Sequence, residues 1–239
     1  MNRNVFITGA SRGIGKAIAE AFAREGYHLY LVCKNNFASM QEYAASLCRK
    51  HGIQAHCYAV DLADTVAYET FLDTLPEMDV IINNAGISHV GILTDMSLSQ
   101  WNNIINVNLT STFLTCRKLL PAMIYKKTGH VINISSVWGN VGASMEVAYS
   151  TTKGGMNSFT KALAKEMAPS HIQVNAIACG LIDTDMNACF SPEELDAVIE
   201  EIPADRMGRP EEVAALCLQL VHAPEYLTGQ VINLDGGWI

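Results

Sequence analysis

Short apolar runs rich in β-branched residues recur along the 239-residue chain, separated by longer stretches whose apolar positions fall three and four residues apart. The runs at 4–8, 29–33, 54–60, 80–83, 131–135, 173–178 and 231–234 predict seven strands. The stretches at 15–25, 40–50, 97–125, 148–167 and 210–221 predict helices between them. Strand then helix, repeated, predicts an α/β chain with a doubly wound, Rossmann-like parallel sheet. Because the runs are apolar throughout rather than alternating, helices are expected on both faces of that sheet. No repeat, low-complexity tract or Pro/Ser-rich linker divides the pattern, so one domain spanning 1–239 is expected. The stretch 180–207 fits least: it carries Pro192, Pro203 and several acids, with a short helical pattern at 192–202. A long excursion inside a compact domain is usually functional, and a substrate lid is the reading taken here, with a plain surface insertion as the alternative.

Composition narrows the class. Hydrophobic residues make up 49% and charged residues 17% of the chain, which suits a buried core and argues against disorder. A formal charge of −8 lacks the basic footprint of a nucleic-acid binder, so no nucleic-acid partner is expected. Cys33, Cys48, Cys57, Cys116, Cys179, Cys189 and Cys217 show no C-x-x-C spacing, and the seven histidines form no H-x-x-x-H pair. No metal and no disulfide framework are expected, and the cysteines read as small buried hydrophobes. With no basic-plus-apolar leader and no apolar run of the length a span needs, neither a membrane nor export is implied, and a cytoplasmic location is expected.

The first strand runs into Thr8-Gly9-Ala10-Ser11-Arg12-Gly13-Ile14-Gly15 and then a helix. Glycines between a buried strand and a helix N-terminus form a cradle for a pyrophosphate: Gly9 for the tight turn, Gly13 and Gly15 for close backbone approach. A nucleoside-triphosphate P-loop reading of Gly15-Lys16 fails, because Ala10 stands where its first glycine and Ala17 where its hydroxyl would be. The second strand ends Cys33-Lys34-Asn35, with Cys33 at the place where a carboxylate would select an unphosphorylated ribose. Lys34 and Arg12 favour a 2′-phosphate there, hence NADPH/NADP+ over NADH; a solvated loop charge is the alternative for Lys34.

Farther along, Tyr149 and Lys153 are one helical turn apart, with Ser136 thirteen residues before Tyr149. An isolated Y-x-x-x-K is more often a surface pair. Here it joins the glycine turn, Asp61-Leu62, Asn83-Asn84-Ala85-Gly86, Asn108 and Ser136, in order and each in its strand or helix context. On these residues the chain resembles the short-chain dehydrogenase/reductase family over essentially its whole length. Within that family it is most similar to the 3-oxoacyl-[acyl-carrier-protein] reductases, through Arg209-Pro-Glu-Glu-Val-Ala214, Tyr226-Leu-Thr-Gly-Gln230 and Asp235-Gly-Gly237.

The chemistry fits that resemblance. Ketone reduction needs a hydride from a nicotinamide and a proton for the developing alkoxide. A tyrosine titrating near 10 is a poor acid–base group, and a lysine cation one turn away should favour its phenolate. Ser136 would hold the substrate oxygen beside Tyr149. Ser135 is its rival, but alternation puts the two on opposite faces, and the thirteen-residue interval of the family selects Ser136. The resemblance also implies that Lys153 bonds the nicotinamide ribose and that Asn108 kinks its helix and holds a water behind Lys153. Asn84, Ala85 and Gly86 would lie under the adenosine ribose, with strand-end caps as the alternative for Asn83 and Asn84. Asp61 and Leu62 would meet adenine, and Ile182 and Thr184 the carboxamide. A homotetramer built on the helices at 97–125 and 148–167 and on the C-terminal segment follows from the same source. Cys179 replaces the usual proline before Gly180, which is expected to loosen the backbone there. Lys126 and Lys127 match one basic position expected near the site mouth for an acyl carrier protein, and Ser170-His171 stands where an arginine is expected. Trp138, Met145, Met186 and Phe190 are candidate apolar walls. The expected activity is therefore NADPH-dependent reduction of a ketone, foremost a 3-oxoacyl thioester on acyl carrier protein. A free steroid, sugar or small ketone is the alternative, and a non-catalytic dinucleotide-binding regulator a second one.

Overall fold

The computed structural model describes residues 3–187 and 190–239. Seven strands form one parallel sheet: β1 (Asn4–Thr8), β2 (His28–Cys33), β3 (Ala55–Ala59), β4 (Val80–Asn83), β5 (Gly129–Ser136), β6 (Ile172–Cys179) and β7 (Val231–Leu234). Their order, β3-β2-β1-β4-β5-β6-β7, reverses direction between β1 and β4. Such a switch point opens a crevice at the carboxyl ends of the strands.

The expected strands and the two-sided cover are present. Helices α1 (Gly13–Arg24), α2 (Phe37–His51) and α9 (Pro210–Val221) bury Ile18, Phe22, Met40, Leu47, Val213 and Cys217 in one apolar layer with Val5, Ile7, Leu29 and Leu31. On the other face α3 (Thr65–Leu72) and α5 (Ser111–Lys126) bury Tyr68, Leu114, Leu120 and Met123 with Phe6, Ile81, Val131 and Val174. Alternate residues of β1 enter opposite layers, so each strand needs an apolar residue at every position. That is the continuous pattern seen in the sequence.

Three features depart from the pattern read in the sequence. Helix α3 is additional, as is the single turn α6 (Trp138–Val141). The expected helix at 97–125 is divided into α4 (Leu98–Ile105), a π-helical turn at Asn106–Thr110, and α5. The Asn108 side chain explains the division: its Oδ1 accepts from the Ile87 N–H at 2.9 Å and its Nδ2 donates to the Ile87 carbonyl at 2.9 Å. A buried amide that satisfies a neighbouring backbone in both directions holds the wider turn open.

The excursion after β6 has a closed neck. Ile182 bridges Gly208, the Asp183 N–H donates to the Gly208 carbonyl at 2.9 Å, and the Gly208 N–H donates to the Leu181 carbonyl at 2.9 Å. Within the loop, α8 (Pro192–Glu200) begins at a reciprocal Ser191–Glu194 cap. Arg206 grips Glu212 of α9 with both guanidinium nitrogens, at 2.9 and 2.8 Å, which ties the end of the excursion to the core.

Candidate active site

One cavity of about 950 Å³ runs across the carboxyl ends of the strands. It is lined by all the residues expected to meet the cofactor: Gly9, Ser11, Arg12, Gly13, Ile14, Gly15, Lys34, Asp61, Leu62, Asn84, Ala85, Gly86, Tyr149, Lys153, Ile182 and Thr184.

Its phosphate end is built by exclusion of side-chain volume. A Cβ on Gly15 would lie 2.3 Å from the Gly9 carbonyl oxygen, and Gly9 itself has φ +67°. The first turn of α1 has no acidic residue, and Arg12 at its N-cap gives no side-chain cap, so the N–H groups of the turn face the cavity uncapped. A pyrophosphate fits that donor set. At the adenosine end the two expected cations are both in ion pairs: Lys34 with Asp61 at 2.7 Å, and Arg12 with Asp185 of the excursion at 3.1 Å. Burial alone would raise the Asp61 pKa, but Lys34 and the Ala63 N–H together lower it. The Asn84 side chain donates to the Thr8 and Gly9 carbonyls at 2.9 and 3.2 Å, pinning the loop after β4 against the glycine turn.

At the other end, α7 (Val147–Met167) carries Tyr149 and Lys153 past the end of β5. Lys153 Nζ lies 5.5 Å from the Tyr149 ring centroid and donates to the Ile134 carbonyl at 2.7 Å. Close approach of α6 to α7 depends on Gly139, where a Cβ would sit 2.7 Å from the Lys153 carbonyl carbon. Ser135 points into the α7 contact and donates to Asn157 Oδ1 at 2.6 Å, whereas Ser136 Oγ accepts from the Trp138 N–H at 3.2 Å beside Tyr149. Alternation thus separates the two serines as expected.

Electrostatically the pair differs from expectation. Burial raises the Tyr149 pKa above its ordinary value, partly offset by the Ser136 hydrogen bond, and Glu146 and Cys179 raise it further. Burial lowers that of Lys153 to about 8. In the protein alone, desolvation outweighs the mutual effect read from their spacing. Asn108 is fully buried in the π-helical turn and does not line the cavity. It donates to Thr152 Oγ1 at 3.1 Å and holds Ile87, so it positions the loop beneath Lys153.

Among the wall candidates Trp138, Met186 and Phe190 line the cavity, and Met145 does not; its side chain is 44% exposed. Cys179 ends β6 paired with Ser136 on one side and Leu234 on the other. Burial raises its thiol pKa to about 12, so it is neutral at physiological pH. Lys126 lies at the far end of the sheet from the cavity, 2.8 Å from Glu77 and 3.9 Å from Asp79, just before β4. His171 pairs with Glu225 at 3.5 Å, outside the cavity lining like Lys126 and Lys127. Within one chain, therefore, Lys126 and Lys127 are remote from the mouth, because α5 runs antiparallel to the strands. Cys189 lies outside the described residues.

Among the lining residues the sequence reading missed are Ser88, Glu146, Glu201 and Trp238. Trp238 packs edge-on against Trp138 at 4.9 Å. Only the proximity of Glu146 to Tyr149 along the chain could have pointed to any of them. Among the described residues no helix is long and apolar enough to cross a membrane, and no cluster suits a metal.

A glycine-cradled crevice at the switch point of a parallel sheet, ending on a tyrosine, a lysine and a serine, defines an oxidoreductase site for a nicotinamide dinucleotide. The chain belongs to the short-chain dehydrogenase family, whose model, described as "short chain dehydrogenase", matches residues 3–195. It is 40% identical to the uncharacterized oxidoreductase YmfI of Bacillus subtilis (strain 168), covering 100% of this chain and 99% of that one. It is also 40% identical to the 3-oxoacyl-[acyl-carrier-protein] reductase FabG of Aquifex aeolicus (strain VF5), over 97% of this chain and 95% of that one. Among solved structures, a Beutenbergia cavernae protein named as an NAD(P)-dependent gluconate 5-dehydrogenase, with NADP bound at low occupancy, superposes with a TM-score of 0.94. The identity is 31%, covering 99% of this chain and 96% of the other. A 3-oxoacyl-[acyl-carrier protein] reductase of Brucella melitensis ATCC 23457 superposes with a TM-score of 0.91 at 36% identity, covering 99% and 91%.

Proposed function

We propose that the protein reduces a ketone to a secondary alcohol with NADPH, with Tyr149 as proton donor, Ser136 as substrate-oxygen ligand and Lys153 as the charge that supports both. The observation that carries this reading is the meeting of Tyr149, Lys153 and Ser136 at one end of the cavity that begins at Gly9, Gly13 and Gly15. The reduced nicotinamide, when bound, supplies the hydride. The chain does the rest. The uncapped N-terminus of α1 holds the pyrophosphate, and Arg12 and Lys34 exchange their carboxylate partners for a 2′-phosphate. The Ser136 hydroxyl steadies the developing alkoxide, and Tyr149, neutral at physiological pH, gives it a proton. The described part of the excursion after β6, through Met186, Phe190, Leu195 and Val198, roofs the site as a lid. Tyr149→Phe removes the donor without changing the packing. NADPH oxidation over a panel of ketones is expected to fall at least about a hundredfold, and an unchanged rate would overturn the assignment.

The substrate assigned first is a 3-oxoacyl thioester on acyl carrier protein, supported by the similarity to the Aquifex and Brucella reductases. A free ketone is the second reading, favoured by the remoteness of Lys126 and Lys127 from the mouth within one chain. Kinetics on a carrier-linked thioester against its pantetheine mimic, each with NADPH and NADH, separate the two. A carrier that gives no advantage removes the first.

A further inference from the structure

Glu146 has no role in the proton transfer just described, yet it stands on the wall of the same cavity, three residues before the proton donor. Its carboxylate accepts a short hydrogen bond from Ser88 Oγ, a neutral partner. Among the described residues it has no ion pair. The two segments that carry these side chains are joined by their backbones as well: the Gly91 N–H donates to the Met145 carbonyl at 2.8 Å. Ser88 and Glu146 therefore form a fixed polar spot in a cavity whose lining also includes the apolar Trp138, Trp238, Phe190 and Val198.

A carboxylate in that place works against the chemistry. It raises the pKa of the phenol that must become an anion once it has given up its proton. A half-buried carboxylate paired only with a hydroxyl keeps unused acceptor capacity, which a donor or a cation entering the cavity would satisfy.

Resting on the reductase reading, the geometry points to Glu146, held by Ser88, as the residue that selects among substrates: it accepts ketones carrying an N–H or O–H donor on the side facing it and rejects carboxylate-bearing ones. An ammonium or hydroxyl there completes the hydrogen bonding of the carboxylate, and a methyl group leaves it unsatisfied. A second carboxylate adds like-charge repulsion at a half-buried site.

The alternative is a purely structural role, an acid at the N-terminus of α7 that stabilises the helix dipole. The two differ in what they do to substrate ratios. Four ketones of one skeleton, differing only in a terminal ammonium, hydroxyl, methyl or carboxylate, are compared by kcat/KM with NADPH for wild type and for Glu146→Gln. Glutamine keeps the shape and still accepts from Ser88. Wild type is expected to prefer the ammonium and hydroxyl ketones to the methyl one, and the methyl to the carboxylate. In the variant the ammonium-to-carboxylate ratio should fall about tenfold to a hundredfold, with the hydroxyl-to-methyl ratio changing least. Equal losses on all four ketones, or an unchanged ratio, overturn the selective role and leave the dipole role. A wild type with no preference overturns it without any variant. If wild type turns over none of the four but reduces a 3-oxoacyl thioester, the selective role falls and the reductase reading stands; turnover of neither removes both.

Discussion

The Lys153 side chain is 3% exposed, and burial takes its pKa from the ordinary 10.5 down to about 8. The sign of its effect on stability follows. Below about 8 the ammonium is charged in folded and unfolded chains alike, and the folded protein bears the whole cost of desolvating it. Between about 8 and 10.5 the unfolded chain holds a proton that the folded one has released, so the cost fades and stability rises with pH. Lys153→Met should therefore raise the thermal midpoint of the protein without cofactor at pH 7 by a few degrees, since part of the gain is offset by the freed Ile134 carbonyl. Activity should be lost. In wild type, kcat/KM for ketone reduction should decline as pH rises through about 8; a profile flat to pH 10 would remove Lys153 from the mechanism.

At the scale of elements, the π-helical turn at Asn106–Thr110 joins two helices and fixes the loop after β4. Asn108→Ala deletes one buried and two partly buried hydrogen bonds and leaves both polar groups of Ile87 without their side-chain partner. A loss of about 2–4 kcal/mol is expected, read by chemical denaturation, together with a lower kcat as Gly86 and Lys153 lose their support. If kcat fell with stability intact, Asn108 would have a direct role in turnover. The turn was legible only in part. A continuous apolar period over 97–125 hides a one-residue widening, because the period of side chains on the buried face barely changes. What marks the turn is a buried asparagine whose partner lies twenty-one residues away in the chain, beyond the reach of any local pattern. Helix α3 escaped for another reason: eight residues give too short a window for a helical period to stand out.

In the whole molecule, large apolar side chains stay exposed in several places, α5 and the start of α7 among them. On α5, Phe113, Ile124 and Tyr125 are 45%, 39% and 89% exposed, and Val147 at the start of α7 is 40% exposed. These lie on the two helices expected to join subunits, and their cover by further copies of the chain fits a homotetramer. Sedimentation equilibrium should give four chains per particle, and Phe113→Glu should shift the mass toward smaller species. A monomer at all concentrations would remove the tetramer.

The alternation of apolar runs and amphipathic stretches determined the sheet, because a parallel strand covered on both faces must be apolar at every position. The glycine turn and the Tyr149–Lys153 spacing were equally local, since each depends on one turn of backbone. Only the tertiary structure decided what those residues face. It moved Lys126 to the far end of the sheet, bound Asn108 to the backbone of Ile87, tied Lys34 to Asp61 and Arg12 to Asp185, and set Glu146 against Ser88 beside the proton donor. Periodicity records whether a side chain is buried or exposed. Which distant group it then meets, and how far burial moves its pKa, depends on contacts between segments that no local pattern encodes.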